Sequence, residues 1–201
     1  KLLETLPIYQ RKSTLLDAFC QAVESHWSKN ATLESLAYAK DSLEIIQMYG
    51  LDYINGSNEE LQKIFIASNL AGKAINISKT TAPHAMSYAI SKSHQISHGH
   101  AVSILLPETV SVLAKKKEYL NIAKNIGILQ LIDKFGVNDL SSLEEPIRDF
   151  ISRFNLNTPI SSHEEVDYFT DNVNLERLSN MPVRLSNEDI KEIYFKSLKL
   201  L

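Results

Sequence analysis

The helical spacing of apolar residues is the feature that most constrains the fold of this chain. In the segment STLLDAFCQAVESHW, Leu15, Phe19 and Val23 recur every four positions, and TLESLAYAKDSLEIIQMY repeats a similar spacing. Residues spaced in this way lie on one face of an α-helix, so both segments are predicted to be amphipathic helices. No alternating apolar run of strand length is bounded by turn residues. The sequence therefore predicts an all-α domain of roughly eight to ten helices.

Capping boxes indicate where further helices begin. In each, a serine is followed three residues later by an acid: Ser57 with Glu60, Ser141 with Glu144, Ser162 with Glu165, and Ser186 with Asp189. The serine hydroxyl accepts a bond from the backbone N–H of the third helical residue, and the side chain of that acid accepts one from the backbone N–H of the serine. Helical segments are predicted at residues 58–77, 84–93, 100–127, 143–154 and 187–201.

Charge and composition exclude several classes of function. The net charge is -3 and no basic stripe is present, which argues against nucleic-acid binding. No apolar run is long enough for a membrane span, and the first residues lack the pattern of a secretory signal. The single cysteine, Cys20, cannot form an internal disulfide and fits the cytoplasm. None of the six glycines belongs to a phosphate-binding loop, so a nucleotide would be held mostly from outside this chain.

Four residues are candidates for a metal site. Asp17 and Gln21 are four residues apart on the first helix, and their side chains therefore share one face. His84 and His98 flank a short helix and the turn that follows it. A carboxylate and two imidazoles are ligands typical of catalytic zinc or iron. The alternative is that Asp17 is an ordinary first-turn acid and His98 a helix cap.

Several motifs resemble the C-terminal domain of the iron-containing (group III) alcohol dehydrogenases. In that family one helix carries DAL-x-HA-x-E, to which DAFCQAVES at residues 17–25 is similar. A later helix carries AG-x-A, to which NLAGKAI at residues 69–75 is similar. The family then has one histidine in HA and, fourteen residues later, another in HG-x-A before a Leu-Pro, here His84, His98 and Pro107. A Leu-Pro pair near the start is also similar, so the resemblance covers roughly residues 2–110.

This resemblance implies a fold, a metal site and cofactors. It implies the dehydroquinate synthase-like helical domain, with Asp17, His84 and His98 as ligands to a divalent metal, iron or zinc. Gln21 occupies the place of another histidine ligand and is a possible fourth, weaker position at the metal. Tyr88 occupies the place of a further active-site histidine and is expected to contact substrate or cofactor, the alternative being an aromatic on the helix face with its hydroxyl at the rim. The family uses NAD(P), which implies oxidation of a small alcohol or reduction of an aldehyde.

The resemblance also implies what the rest of the enzyme supplies. Residues 1–201 are expected to form the C-terminal metal- and substrate-binding domain, with the N-terminal dinucleotide-binding domain absent from this chain. The chain alone is therefore expected to be inactive, and a homodimer is a family expectation. DAFCQAVESHWS and KAINISKTTAPHAMSY resemble members that reduce phosphonoacetaldehyde. Lys79, Thr80 and Thr81 would then contact the phosphonate, although a polar interhelical loop is the alternative.

Two other functions remain open at this level. One is a metal-free or differently specialised relative, such as a sugar-acid or polyol oxidoreductase. The other is a non-enzymatic helical interaction domain. Of the remaining candidate residues, His100 is expected at a helix start or behind a metal ligand, and Cys20 is expected to be a buried thiol. His26, His94 and His163 are expected on the surface.

Overall fold

The computed structural model describes residues 5–56, 59–116 and 125–201, and this part of the chain is largely helical. Its α-helices are α1 (Ile8–Trp27), α2 (Leu33–Ile54), α3 (Leu61–Ser78), α4 (Ala82–His94), α5 (His98–Ala114), α6 (Ile126–Phe135), α7 (Glu144–Ser152), α8 (His163–Asp171), α9 (Leu175–Leu178) and α10 (Asn187–Ser197). A 3-10 turn spans Leu140–Ser142. Two short parallel strands, β1 (Ile160–Ser161) and β2 (Lys199–Leu200), pair with each other. The prediction of an all-α domain is confirmed.

Helix α1 is the centre of the core, because α2, α3 and α5 all pack against it. Its apolar side chains Leu16, Phe19, Val23 and Trp27 are fully buried. Burial of each such side chain contributes about 1.5–3 kcal/mol to the stability of the fold. A helix held on this many sides is a rigid support for any polar side chain that it presents to a site. Among the described residues, no helix is both long and apolar enough to cross a membrane.

Two of the predicted capping boxes are confirmed. Ser162 accepts a bond from Glu165 N–H at the start of α8, and Ser186 accepts one from Asp189 N–H at the start of α10. In both, the carboxylate of the acid accepts a bond from the backbone N–H of the capping serine. The predicted box at Ser57 lies outside the described residues.

The predicted box at Ser141 is wrong. Its hydroxyl donates to the carboxylate of Asp139, which also caps the 3-10 turn by accepting from Ser142 N–H. Helix α7 then begins at Glu144 after Leu143, without a side-chain cap. The acid two residues upstream competes for the serine, so the local pattern produces a different turn.

Two predicted helix ends are also wrong. The segment 100–127 was expected to be one helix, but α5 ends at Ala114 and α6 begins separately at Ile126, after the capping residue Asn125. Residues 117–124 between them lie outside the described part. The segment 187–201 leaves the helix after Ser197, because its last residues pair with β1 instead.

Close contact between α1 and α5 brings two elements of the site together. A side-chain carbon on Gly99 would lie 2.1 Å from the carbonyl oxygen of Ser13 and 2.7 Å from Cβ of Asp17. Only glycine permits this approach, since real Cβ atoms are not found so near other atoms. The first turn of α5 is therefore pressed against the part of α1 that carries Asp17.

Candidate metal centre

Three potential metal ligands from three helices meet at one point. Asp17 lies in the middle of α1, His84 in the first turn of α4, and His98 at the first position of α5. One ligand atom from each residue lies within 4.8 Å of the other two. Asp17 Oδ1 is 3.5 Å from His84 Nε2 and 3.9 Å from His98 Nε2. The structure thus brings together the three residues predicted as ligands.

Two of these ligand atoms have unmet bonding capacity. Asp17 Oδ1 and His84 Nε2 are buried, and neither has a hydrogen-bond partner among the described residues. Their separation of 3.5 Å is longer than a normal hydrogen bond. Buried polar atoms are almost always paired, so two that face each other without a bond point to a missing partner. A divalent cation fits, because a carboxylate and two imidazoles are ligands of zinc and iron.

A buried carboxylate, Glu24, sets the orientation of His84. Glu24 has no solvent exposure, and its Oε1 accepts a bond from His84 Nδ1 at 2.5 Å. Its Oε2 accepts from both the backbone N–H and the hydroxyl of Thr81, each at 2.7 Å. The Thr81 hydroxyl in turn accepts from Trp27 Nε1 at 2.9 Å. With its proton on Nδ1, neutral His84 presents the Nε2 lone pair to the centre.

Sequence reasoning assigned no role to Glu24, although it ends the DAFCQAVE motif. One signal was available. Glu24 lies seven residues after Asp17, which is two helical turns, so both acids are on the same face of α1. An acid on the buried face of a core helix requires a partner, and a nearby histidine is the natural one.

The charges around the centre favour a cation. Burial acts to lower the pKa of His84, but Glu24 and Asp17 overcome it and raise that pKa to about 9. Burial lowers the pKa of His98, with Asp17 opposing and the positive charges of His84 and Arg177 reinforcing the decrease. A metal ion would take the place of the His84 proton between the same carboxylates.

Gln21 contacts a ligand residue and presents its amide to it. Its Nε2 donates to Asp17 Oδ2 at 2.7 Å. This bond fixes the outer oxygen of the carboxylate, while Oδ1 faces His84. Gln21 therefore lies beside the three-residue cluster as a partner of Asp17.

Tyr88 lies at the rim of the centre. Its side chain is 42% exposed, and its ring centroid is 5.2 Å from that of His98. The guanidinium of Arg177 lies 5.3 Å from the ring centroid. The Tyr88 side chain is therefore both exposed and close to the ligand cluster.

The three residues predicted to bind an anion occupy different environments. Lys79 is exposed at the end of α3, and its Nζ donates to the carbonyl of Asn76 at 2.7 Å. Thr80 is nearly buried, and its hydroxyl accepts from Arg177 Nη1 at 2.7 Å. Thr81 is fully buried with its hydroxyl and N–H bonded to Glu24. The structure therefore separates Thr81 from the other two.

The remaining histidines lie outside the cluster. His100 is buried in the first turn of α5, and its ring is 3.2 Å from the hydroxyl of Tyr9. His26 is 2% exposed and bonds the carbonyl of Ala22, so its predicted surface position is wrong, because it packs on the core side of α1. His94 is partly buried and bonds the Ser161 hydroxyl. His163 is exposed, as predicted.

Cys20 is fully buried, as predicted. Burial, together with the nearby negative charges of Glu24 and Asp17, raises its pKa. A thiol with a raised pKa is a poor nucleophile at neutral pH, and Cys20 is therefore part of the core rather than of the chemistry.

Sequence comparison finds relatives among alcohol dehydrogenases. The chain is 26% identical to the 4-hydroxybutyrate dehydrogenase of Clostridium kluyveri over 207 residues, which cover 98% of this chain and 55% of the relative. It is 30% identical over 98 residues to the phosphonoacetaldehyde reductase of Streptomyces viridochromogenes, covering 46% of this chain and 24% of that protein. The 1,3-propanediol dehydrogenase of Klebsiella pneumoniae is 28% identical over 75% of the chain and 39% of its own length.

Solved structures show the same fold. The iron-containing alcohol dehydrogenase of Thermotoga maritima matches 97% of this chain and 51% of its own, with a TM-score of 0.81 and 25% identity. The sulfoacetaldehyde reductase of Bifidobacterium kashiwanohense, solved with NAD+, matches 96% of this chain and 51% of its own, with a TM-score of 0.83 and 23% identity.

The extent of these matches defines what the chain corresponds to. It spans about half the length of the relatives that it matches over nearly all of its own length. The family model described as "Fe-containing alcohol dehydrogenase family, C-terminal" matches residues 12–198. These residues include all three members of the ligand cluster. The chain therefore belongs to the Fe-containing alcohol dehydrogenase family and corresponds to its C-terminal domain.

Proposed function

We propose that this chain is the metal- and substrate-binding domain of an NAD(P)-linked alcohol dehydrogenase that reduces a small aldehyde. The observation that carries the proposal is the pair of unpaired buried atoms, Asp17 Oδ1 and His84 Nε2, with His98 beside them. Glu24 holds the His84 imidazole in place beside this cluster.

Each residue has a defined part in the proposed site. Asp17, His84 and His98 would hold a divalent metal, iron or zinc, which would supply a Lewis acid for the substrate oxygen. Glu24 accepts the Nδ1 proton of His84 and so turns Nε2 toward the proposed metal position, and Gln21 fixes the outer oxygen of Asp17. Tyr88 offers a hydroxyl at the rim for a hydrogen bond to substrate or cofactor.

The cofactor requires a second domain. The sequence contains no glycine-rich phosphate loop, and the chain spans about half the length of its relatives. We propose that an N-terminal dinucleotide-binding domain holds NAD(P), so that the 201-residue chain alone is inactive. The reduced state of the single buried cysteine fits a cytoplasmic enzyme, and a homodimer is proposed as the assembly.

The substrate is proposed to be a small aldehyde that carries an acid group. The relatives named for 4-hydroxybutyrate and phosphonoacetaldehyde act on a carboxylate and a phosphonate, respectively. Others are named for the neutral compounds 1,3-propanediol and methanol. The guanidinium of Arg177, 5.3 Å from the Tyr88 ring centroid, supports the acidic class. Phosphonoacetaldehyde, with 2-hydroxyethylphosphonate as its product, is the first compound to test.

Metal binding tests the central part of this proposal. Chelator-treated chain is titrated with Zn²⁺, and anaerobically with Fe²⁺, by calorimetry. We expect one ion per chain, and loss of binding in both His84→Ala and His98→Ala. His163→Ala, at an exposed position on α8, is the matched control and should bind normally. Wild-type chain that binds neither metal would contradict the proposal and favour a metal-free relative.

Activity is tested separately. The chain is assayed for oxidation of NADH and NADPH with a panel of acidic and neutral aldehydes, alone and fused behind the N-terminal domain of the 1,3-propanediol dehydrogenase. We expect turnover only in the fusion. A fusion that binds metal and cofactor but reduces no aldehyde would contradict the proposed reaction.

A further inference from the structure

Arg177 is a cation beside the proposed site that has no acidic partner among the described residues. It lies on the short helix α9, and its Nη1 donates to the Thr80 hydroxyl at 2.7 Å. Within the described ranges, no ion pair of 4.0 Å or less joins Arg177 to a carboxylate, whereas Arg148 contacts two, Glu108 and Glu144. An arginine has five N–H donors in a planar fork, so one bond to a hydroxyl leaves most of them available.

The guanidinium lines a polar cavity. This cavity has a volume of about 610 Å³, and its polar lining includes Asn76, Lys79, Thr80, Glu176, Arg177 and Asn180. Two cations therefore face one acid, and the acid, Glu176, is exposed. Asn180 is fixed in the cavity lining by a hydrogen bond, since its Nδ2 donates to the Thr80 carbonyl at 3.0 Å. A cavity of this charge and polarity suits a small anion.

Lys79, which lines the cavity, adopts a strained backbone conformation. Its φ is 62°, in the left-handed region that residues other than glycine rarely adopt. Such strain concentrates at ligand sites, where the surrounding structure maintains it. The preceding residue, Ser78, is fixed by two hydrogen bonds. Its hydroxyl donates to the Ser25 hydroxyl, and its carbonyl accepts from the Ser28 hydroxyl.

Tyr88 connects the cavity to the metal centre. Its ring centroid is 5.3 Å from the guanidinium carbon of Arg177 and 5.2 Å from the ring centroid of His98. An anion bound by Arg177 would therefore lie near a side chain that contacts the ligand cluster.

We infer that Arg177, with Lys79 as a second cation, binds the acid group of the substrate and so selects anionic aldehydes and alcohols. Phosphonates, sulfonates and carboxylates all present oxygens that the guanidinium fork can bind in a bidentate manner. This inference rests on the proposed function, because it concerns the substrate of the same site. It adds a specificity-determining residue that the sequence motifs do not contain.

The experiment compares alcohols that differ in their acid group. ¹⁵N-labelled chain is titrated by NMR with 2-hydroxyethylphosphonate, 2-hydroxyethylsulfonate, 3-hydroxypropanoate and the neutral 1,3-propanediol. ADP is included because the diphosphate of a dinucleotide offers the same chemistry as a substrate anion. The titrations are repeated with Arg177→Gln, which removes the charge, and with Arg177→Lys, which keeps the charge without the fork. Arg153→Gln, an exposed arginine at the end of α7, is the control.

We expect the anionic alcohols to bind wild type at least about tenfold more tightly than the diol, as for a charge-assisted pair. Arg177→Gln should remove that preference without changing the affinity for the diol. Arg177→Lys should keep part of it, and Arg153→Gln all of it. Equal anion affinity in Arg177→Gln and wild type would overturn the inference. So would a loss confined to ADP, which would assign Arg177 to the cofactor.

A Zn²⁺ titration of the same samples separates this inference from the proposed function. Chain that binds Zn²⁺ but shows no anion preference contradicts the inference alone. Chain that shows the preference but binds no metal contradicts the proposed function instead. Circular dichroism of each variant shows whether it retains the helical fold. Should Arg177→Gln unfold, the comparison of Arg177→Lys with wild type decides, because equal anion affinities would then overturn the inference.

Discussion

Glu24 Oε1 lies 2.5 Å from His84 Nδ1, and both side chains are buried. The other oxygen of Glu24 is occupied by Thr81, so the carboxylate cannot turn away from the imidazole. A carboxylate that accepts the Nδ1 proton of a ligand histidine fixes the ring and increases its basicity. The candidate metal centre is therefore supported by a buried acid that contacts one member of the cluster without belonging to it.

The first prediction concerns this acid. In Glu24→Gln the amide N–H can face His84 Nδ1, which favours the tautomer with its proton on Nε2, toward the centre. We expect Zn²⁺ affinity to fall by about 10- to 100-fold, the usual effect of removing such a partner. Calorimetry measures it, with Glu34→Gln in the exposed first turn of α2 as the control. Unchanged affinity in a folded Glu24→Gln chain would show that His84 is oriented without the carboxylate.

A second prediction concerns Gln21. Its amide is a weak ligand compared with imidazole, and it currently bonds Asp17 Oδ2. We expect Gln21→His to supply a fourth protein ligand and to raise the affinity for Zn²⁺ by about tenfold or more. Gln47→His, on α2, adds the same side chain away from the centre and should have no effect. A Gln21→His chain that binds Zn²⁺ no better than wild type would mean that position 21 cannot reach the metal.

The sequence predicted those parts of the fold and site that depend on local patterns or family motifs. Apolar spacing identified α1 and α2, and the motifs identified Asp17, His84 and His98. Glu24 was missed although its helical spacing from Asp17 was visible, and Arg177 was missed because its contacts come from across the fold. Arg177 is 97 residues from Thr80, and no local pattern predicts that contact. The error at Ser141 has a local origin instead, because Asp139 competes for the serine hydroxyl.

A third prediction tests the packing that brings α5 to Asp17. Alanine at Gly99 would place a carbon 2.1 Å from the Ser13 carbonyl oxygen, so the two helices must separate. We expect Gly99→Ala to lower the free energy of unfolding by roughly 3 kcal/mol, the upper part of the usual range for overpacking, and to weaken Zn²⁺ binding. Gly72→Ala on α3 has free space and should raise stability by up to about 1 kcal/mol. Urea denaturation measures both, and similar stabilities in the two variants would refute the close contact.

The last prediction concerns pH and His26. Burial lowers the pKa of His26 from its ordinary 6.5 to about 4, with only a bond to the Ala22 carbonyl opposing the decrease. Between these values the unfolded chain binds a proton that the folded chain does not, so the free energy of unfolding rises with pH. The contribution is complete above pH 6.5 and is lost as pH falls toward 4. Its full size is roughly 3 kcal/mol at 1.36 kcal/mol per pKa unit.

Substitution of His26 isolates this effect from that of the other titrating groups. His26→Gln removes the titration, so we expect its stability to change less than that of wild type between pH 7.5 and 5, a range that contains most of the window. His163→Gln, at an exposed position, should follow wild type. Urea denaturation at several pH values gives the three curves. If the His26→Gln curve were parallel to that of wild type, His26 would titrate alike in the folded and unfolded chains, and the region where α1 ends would have to be open to water.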